Sequence, residues 1–163
     1  MGRRVLVVGV GSAIRGDDGI GPAVAEAVAR AGGRGFEWTP FDGSALDLLG
    51  AFAGPPQYDC CAIVDCLANG RLEEGEVARL LPPDDDAPAG GWLSSHHAGI
   101  LETLAMARRL GTALPADLRF YAVGVKDATA FGEGLSAGLA ARLPTIEAEI
   151  LSDLGVGLEG GNP

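Results

Sequence analysis

Asp17 and Asp18 lie in the segment Gly9-Val10-Gly11-Ser12-Ala13-Ile14-Arg15-Gly16-Asp17-Asp18-Gly19-Ile20-Gly21. Residues 4–10 form a short apolar run rich in β-branched side chains, which predicts a strand, and the spacing of Ile20, Val24, Ala27 and Val28 predicts a helix starting just beyond Gly19. Two carboxylates in the turn between them suit a cation. A dinucleotide fingerprint would need a glycine where Ile14 stands, and no Gly-Lys-Ser/Thr of a Walker loop follows. The carboxylates would also repel the phosphate that a helix N-terminus otherwise attracts. Aspartate is an ordinary N-cap as well, so one of the pair is expected to cap this helix while the other faces a cleft; the sequence leaves open which.

A third carboxylate, Asp65, ends the run of residues 58–66, which is apolar nearly throughout and reads as a parallel strand covered on both faces at the centre of a sheet. An ionised carboxylate there is costly to desolvate unless compensated, by a metal or by backbone donors at the strand's end. His96 and His97 open a later helix, where the positive end of the helix dipole keeps an imidazole neutral and able to ligate metal. Two carboxylates and one imidazole make a mixed oxygen and nitrogen donor set that suits a divalent transition ion with open positions for water or substrate. Each member also has an ordinary reading, as a cap or a first-turn residue, and it is their convergence that points to a site.

Other chemistries find no support. The chain has no His-Glu-x-x-His and no Cys-x-x-Cys. Cys66 with His96 would make a nucleophilic pair, but strand alternation sends Asp65 and Cys66 to opposite faces, so only one of them is expected to face a shared site. Cys60, Cys61 and Cys66 crowd one strand; an odd count without framework spacing fits a reducing compartment and buried, inert thiols.

The elements that must position these groups alternate. After the first strand and helix, residues 35–41 read as a strand, 44–52 as a short helix, 58–66 as the central strand and 75–81 as an edge strand. Residues 82–91, with Asp84-Asp85-Asp86 and several Pro and Gly, read as a loop. Ser94-Ser95 is expected to cap a helix with Ile100, Leu101, Leu104 and Leu110 at helical spacing. Residues 117–125 give a last buried strand and about 135–154 a closing helix. Such alternation predicts an α/β fold, a three-layer sandwich with a mostly parallel central sheet and helices on both faces. Ligands then bind outside the carboxyl ends of the strands, where Asp17, Asp18, Asp42 and Asp65 recur.

The 163 residues suffice for one domain, expected over 1–154 with a disordered Gly-rich tail at 155–163. Against 22 Asp and Glu stand 12 Lys and Arg, a net charge of -10 without a basic stripe, which argues against nucleic acid as a partner. The apolar run at residues 5–10 is too short for a signal peptide or a membrane span, and Leu6 stands where myristoylation needs Ser or Thr. A cytoplasmic protein is expected.

Taken in order, Gly9-x-Gly11, Asp17-Asp18-Gly19-x-Gly21, Asp65 closing the central strand and His96-x-x-Gly99 opening a helix resemble the hydrogenase maturation endopeptidases, over roughly residues 5–154. The resemblance implies a compact α/β sandwich and an enzyme that removes a short C-terminal extension from the large-subunit precursor of a nickel-iron hydrogenase after nickel insertion. It implies that the metal is the substrate's nickel, contacted by Asp18, Asp65 and His96. Asp18 and Asp65 are expected to repel each other in the empty cleft, so that zinc, cadmium or nickel in excess occupies it in vitro. Ser12 stands where the family commonly has Asn, and Asp42-Gly43-Ser44 looks shorter than the family's Gly-Gly-Thr loop, so no role passes to Asp42. Between Val123-Gly124-Val125 and Gly134-Leu135-Ser136, which match the family pattern, lies a variable stretch with a bearing on partner choice. A small-molecule hydrolase with its own metal, and a non-catalytic module that holds the precursor, remain alternatives.

Overall fold

Among the described residues five strands form one sheet: β1 (Val5–Val10), β2 (Phe36–Phe41), β3 (Cys60–Leu67), β4 (Val77–Leu80) and β5 (Asp117–Gly124), in the order β2-β1-β3-β5-β4. The computed structural model describes residues 2–50, 58–80 and 95–156, with the side chains of residues 45 and 95–98 outside the description. The first four strands of that order run parallel, and β4 pairs antiparallel with β5 at the edge. Every residue of β3 is buried, as its unbroken apolar character requires of a strand covered on both faces. Edge strand β2 has no fully buried residue and tolerates Pro40, which has no N–H to give a ladder.

Among the described residues four α-helices cover the sheet: α1 (Ile20–Gly32), α2 (Ala45–Gly50), α3 (Ser95–Arg109) and α4 (Ala137–Asp153). Alternate residues of β3 divide between two cores. Cys60, Ala62, Val64 and Cys66 pack with Val24 and Val28 of α1 and Ile146 and Ile150 of α4; Cys61 and Ile63 pack with Leu48 of α2 and Leu101 and Leu104 of α3. The α/β arrangement with a mostly parallel sheet is therefore as expected.

Several local readings change. Leu110 lies beyond the end of α3 and is 75% exposed, because α3 stops at Arg109 and the apolar stripe with it. The helix read from Ser44 starts at Ala45, while Ser44 exchanges hydrogen bonds with Asp47 in the manner of a capping box. The loop at 82–91, the cap at Ser94 and the tail from 157 lie outside the described residues. At the amino edge of the sheet, Arg119 is bound by Asp117 and by both the carbonyl and carboxylate of Asp153, a staple far from the acidic turn.

Candidate active site

In this strand order β1 has β2 on one side and β3 on the other, so the chain leaving β1 and the chain leaving β3 diverge and open a crevice at their carboxyl ends. The loop after β1 carries Asp18. Gly9 pairs with Val64, so Asp65 sits level with the end of β1. Two distant acidic residues thus meet because the sheet's register brings them to one edge.

Glycines shape the turn between. Gly11 has φ +133, and a Cβ there would strike the Asp18 carbonyl. A Cβ on Gly21 would strike the Val10 carbonyl and reach to 2.7 Å from that of Val64, so only glycine lets the start of α1 rest on the ends of β1 and β3.

The expectation that Asp17 or Asp18 caps α1 is corrected. A 3-10 turn, Gly16–Gly19, intervenes, and the N-cap of α1 is Gly19, without a side-chain cap. The extra turn carries both carboxylates away from the first amides of α1. Asp17 Oδ1 accepts the Ser136 N–H at 2.7 Å, at the start of α4. Asp18 Oδ2 accepts the Ser12 N–H at 2.8 Å, and its Oδ1 lies 3.2 Å from Cys66 Sγ, which donates to it. The Ser12 backbone makes this bond, so the side chain that replaces the family's usual amide is not needed for it.

Asp65 is only 2% exposed, and its Oδ1 accepts the Cys66 N–H at 2.7 Å. Burial pushes its carboxyl up to about 7; the nearby Asp18 charge adds to the shift and the Cys66 amide opposes it. Repulsion between the two carboxylates is thus the lesser cause, and desolvation the greater.

The expectation that only one of Asp65 and Cys66 can face a shared site fails. One ligand atom from each of Asp18, Asp65 and Cys66 lies within 4.8 Å of the other two. Alternation does send Cys66 to the α1 and α4 face. At the strand's end, however, the Asp65 carboxylate folds back onto the Cys66 amide, and Asp18 reaches over the edge to meet both. Burial and the two carboxylates push the Cys66 thiol up. Cys60 and Cys61 are free, buried thiols in the two cores, as an inert role requires.

His96 and His97 lie in the first turn of α3, and their side chains are outside the described residues. Gly99, one turn further along, lines a cleft of about 550 Å³ together with Gly11, Asp18, Asp42, Gly43 and Phe131. Asp42, left without a role by the sequence, therefore stands in its wall. The mouth carries two residues the sequence reading passed over: Ile14, 60% exposed, and Phe131, 80% exposed. Phe131 belongs to the stretch marked as variable. The segment is tied to the acidic turn by Gly16 N–H to the Gly132 carbonyl at 2.8 Å and Gly132 N–H to the Ile14 carbonyl at 3.1 Å. The Arg15 guanidinium lies 5.7 Å from the Phe131 ring centroid.

No described helix is long and apolar enough to cross a membrane. The architecture is that of the hydrogenase maturation endopeptidases, whose solved structures it matches over most of its length. An endopeptidase from Escherichia coli superposes with a TM-score of 0.67 at 24% identity, covering 93% of this chain and 91% of its own. The hydrogenase maturating endopeptidase HybD of Escherichia coli gives 0.64 at 23% identity, covering 93% and 92%. The NiFe hydrogenase maturation protease HybD of Thermococcus kodakarensis gives 0.61 at 21%, covering 93% and 98%. At these identities the likeness is one of fold. No protein-family model matches the sequence, and no curated protein matches it.

Proposed function

We propose that this chain is an endopeptidase that removes the C-terminal extension of a nickel-iron hydrogenase large-subunit precursor after nickel insertion, with the nickel of the precursor as part of what it recognises. The observation that carries the reading is the meeting of Asp18 and Asp65 at the crevice between β1 and β3, in a fold shared with hydrogenase maturation endopeptidases. Asp18, Asp65 and His96 are the residues assigned to hold the ion. Its chemistry there is that of a Lewis acid, polarising a carbonyl or lowering the pKa of a water.

The chain's own residues do the rest. The Ser12 amide fixes one oxygen of Asp18 at 2.8 Å, leaving the carboxylate aimed at the crevice. Asp65, almost wholly screened from water, supplies a second carboxylate whose ionised form a cation stabilises, opposing the upward shift that burial gives its pKa. Ile14 and Phe131 at the mouth give a polypeptide an apolar rim to lie against. Three free thiols suit work in the reducing cytoplasm.

The test is to incubate nickel-loaded precursor with the protein and with Asp18→Ala, Asp65→Ala and His96→Ala, and to read the product's mass. The shortened product is expected with the unaltered chain and nearly abolished with each variant. A folded Asp65→Ala protein of equal activity would remove the reading's main support.

A further inference from the structure

The donor set contains a thiol that a site of two carboxylates and an imidazole does not use. Cys66 Sγ stands 3.2 Å from Asp18 Oδ1, and ligand atoms of Asp18, Asp65 and Cys66 fall within 4.8 Å of one another. One zinc ion bound to both an oxygen at about 2.1 Å and a sulfur at about 2.3 Å would set those two atoms about 3.6 Å apart at the tetrahedral angle. The observed spacing needs only a small opening to admit the ion. Cys66 packs in the same core as Cys60, but its place at the end of β3 also sets its sulfur against the carboxylate pair.

We propose that Cys66 is a further ligand of this site, so that the free protein binds a thiophilic divalent ion, cadmium above all and zinc next, through Asp18, Asp65 and Cys66. The inference rests on the assignment of Asp18 and Asp65 as metal-holding residues and adds to it a soft donor. When the ion binds, the Cys66 S–H bond breaks, its proton passes to water and a sulfur-metal bond forms, with no change of oxidation state. Thiolate sulfur favours soft ions where carboxylate oxygen favours hard ones, so the site is biased towards cadmium and zinc over magnesium or calcium. An ion so held occupies Asp18 and Asp65 before a precursor can present its own, and cadmium is therefore an inhibitor that competes with the nickel-loaded precursor.

The experiment is a titration of the metal-free, full-length protein with cadmium chloride, following the thiolate-to-cadmium charge-transfer band in the ultraviolet and the dissociation constant. The unaltered protein is expected to show the band with one ion bound per chain. Cys66→Ser and Cys66→Ala, each checked for folding by circular dichroism, are expected to lose the band and to bind cadmium at least about tenfold more weakly, the scale on which even residues behind the ligands act. Cys66→Ser keeps the volume of the side chain and serves if the alanine variant does not fold. Cadmium bound without the band, a band that survives in the Cys66 variants, or no cadmium binding at all would each overturn the inference. Processing of nickel-loaded precursor by the unaltered, metal-free protein judges the endopeptidase reading separately.

Discussion

Asp17 and Asp18 are adjacent in the chain, yet their carboxylates serve different parts of the molecule. Asp17 Oδ1 accepts the Ser136 N–H at 2.7 Å and ties the acidic turn to the start of α4. Asp18 Oδ1 faces Cys66 Sγ at 3.2 Å beside Asp65. One carboxylate holds the fold and the other belongs to the crevice.

Substitution should separate the two roles. Asp17→Ala is expected to lower stability by about 1 kcal/mol, the usual worth of such a hydrogen bond, while most processing activity remains. Asp18→Ala is expected to lose processing while staying folded. Thermal unfolding and a processing assay on both variants check this; an Asp17→Ala protein of full stability and no activity would reverse the assignment.

Stability should depend on pH through Asp65. Its folded carboxyl is raised to about 7 from an ordinary value of 3.8, so between those values the folded chain holds a proton that the unfolded chain has lost. Stability therefore falls as pH rises through this window and levels off above it, by on the order of a few kcal/mol. Asp65→Asn cannot ionise and lacks this decline. Denaturant unfolding of both proteins from pH 5 to 8 should show the unaltered chain losing ground to the variant, and a constant difference would mean that Asp65 titrates as an exposed carboxyl does. Cadmium affinity should tighten over the same range, because the ligand form is the ionised one.

The rim of the cleft should govern substrate capture rather than the chemical step. Phe131 is 80% exposed and makes its described ring contact with Arg15, so Phe131→Ser should cost the fold little. With a contact to the precursor worth about 1 kcal/mol, KM should rise about fivefold at an unchanged kcat. Steady-state kinetics on nickel-loaded precursor decide it, and an unchanged KM would place the polypeptide elsewhere.

Much of the frame is legible in the sequence because burial on both faces leaves an unbroken apolar run, as in β3, and because a glycine such as Gly21 marks where a helix touches strand ends. Asp65 is legible for the same reason, as a charge closing an apolar run. The 3-10 turn is not, since Gly16 to Gly19 carries no apolar periodicity to betray it, and so the sequence points to one aspartate of the pair as the cap where the structure has Gly19. Cys66 is misread because alternation describes the face of a sheet; at the end of a strand, side chains from both faces can reach around the edge to one point. Phe131 joins the cleft through contacts of Gly132 with Ile14 and Gly16, pairings across more than a hundred residues that local pattern does not encode.

We propose that cleavage is licensed by nickel held in the precursor and met by Asp18, Asp65 and His96. Metal-free protein is to be mixed with nickel-loaded precursor and, separately, with the same precursor lacking nickel, and the mass of the large subunit followed in time. The loaded precursor is expected to lose its C-terminal extension and the nickel-free one to stay full length. Trimming of both at similar rates would contradict it and would leave a peptidase that acts without the substrate's metal.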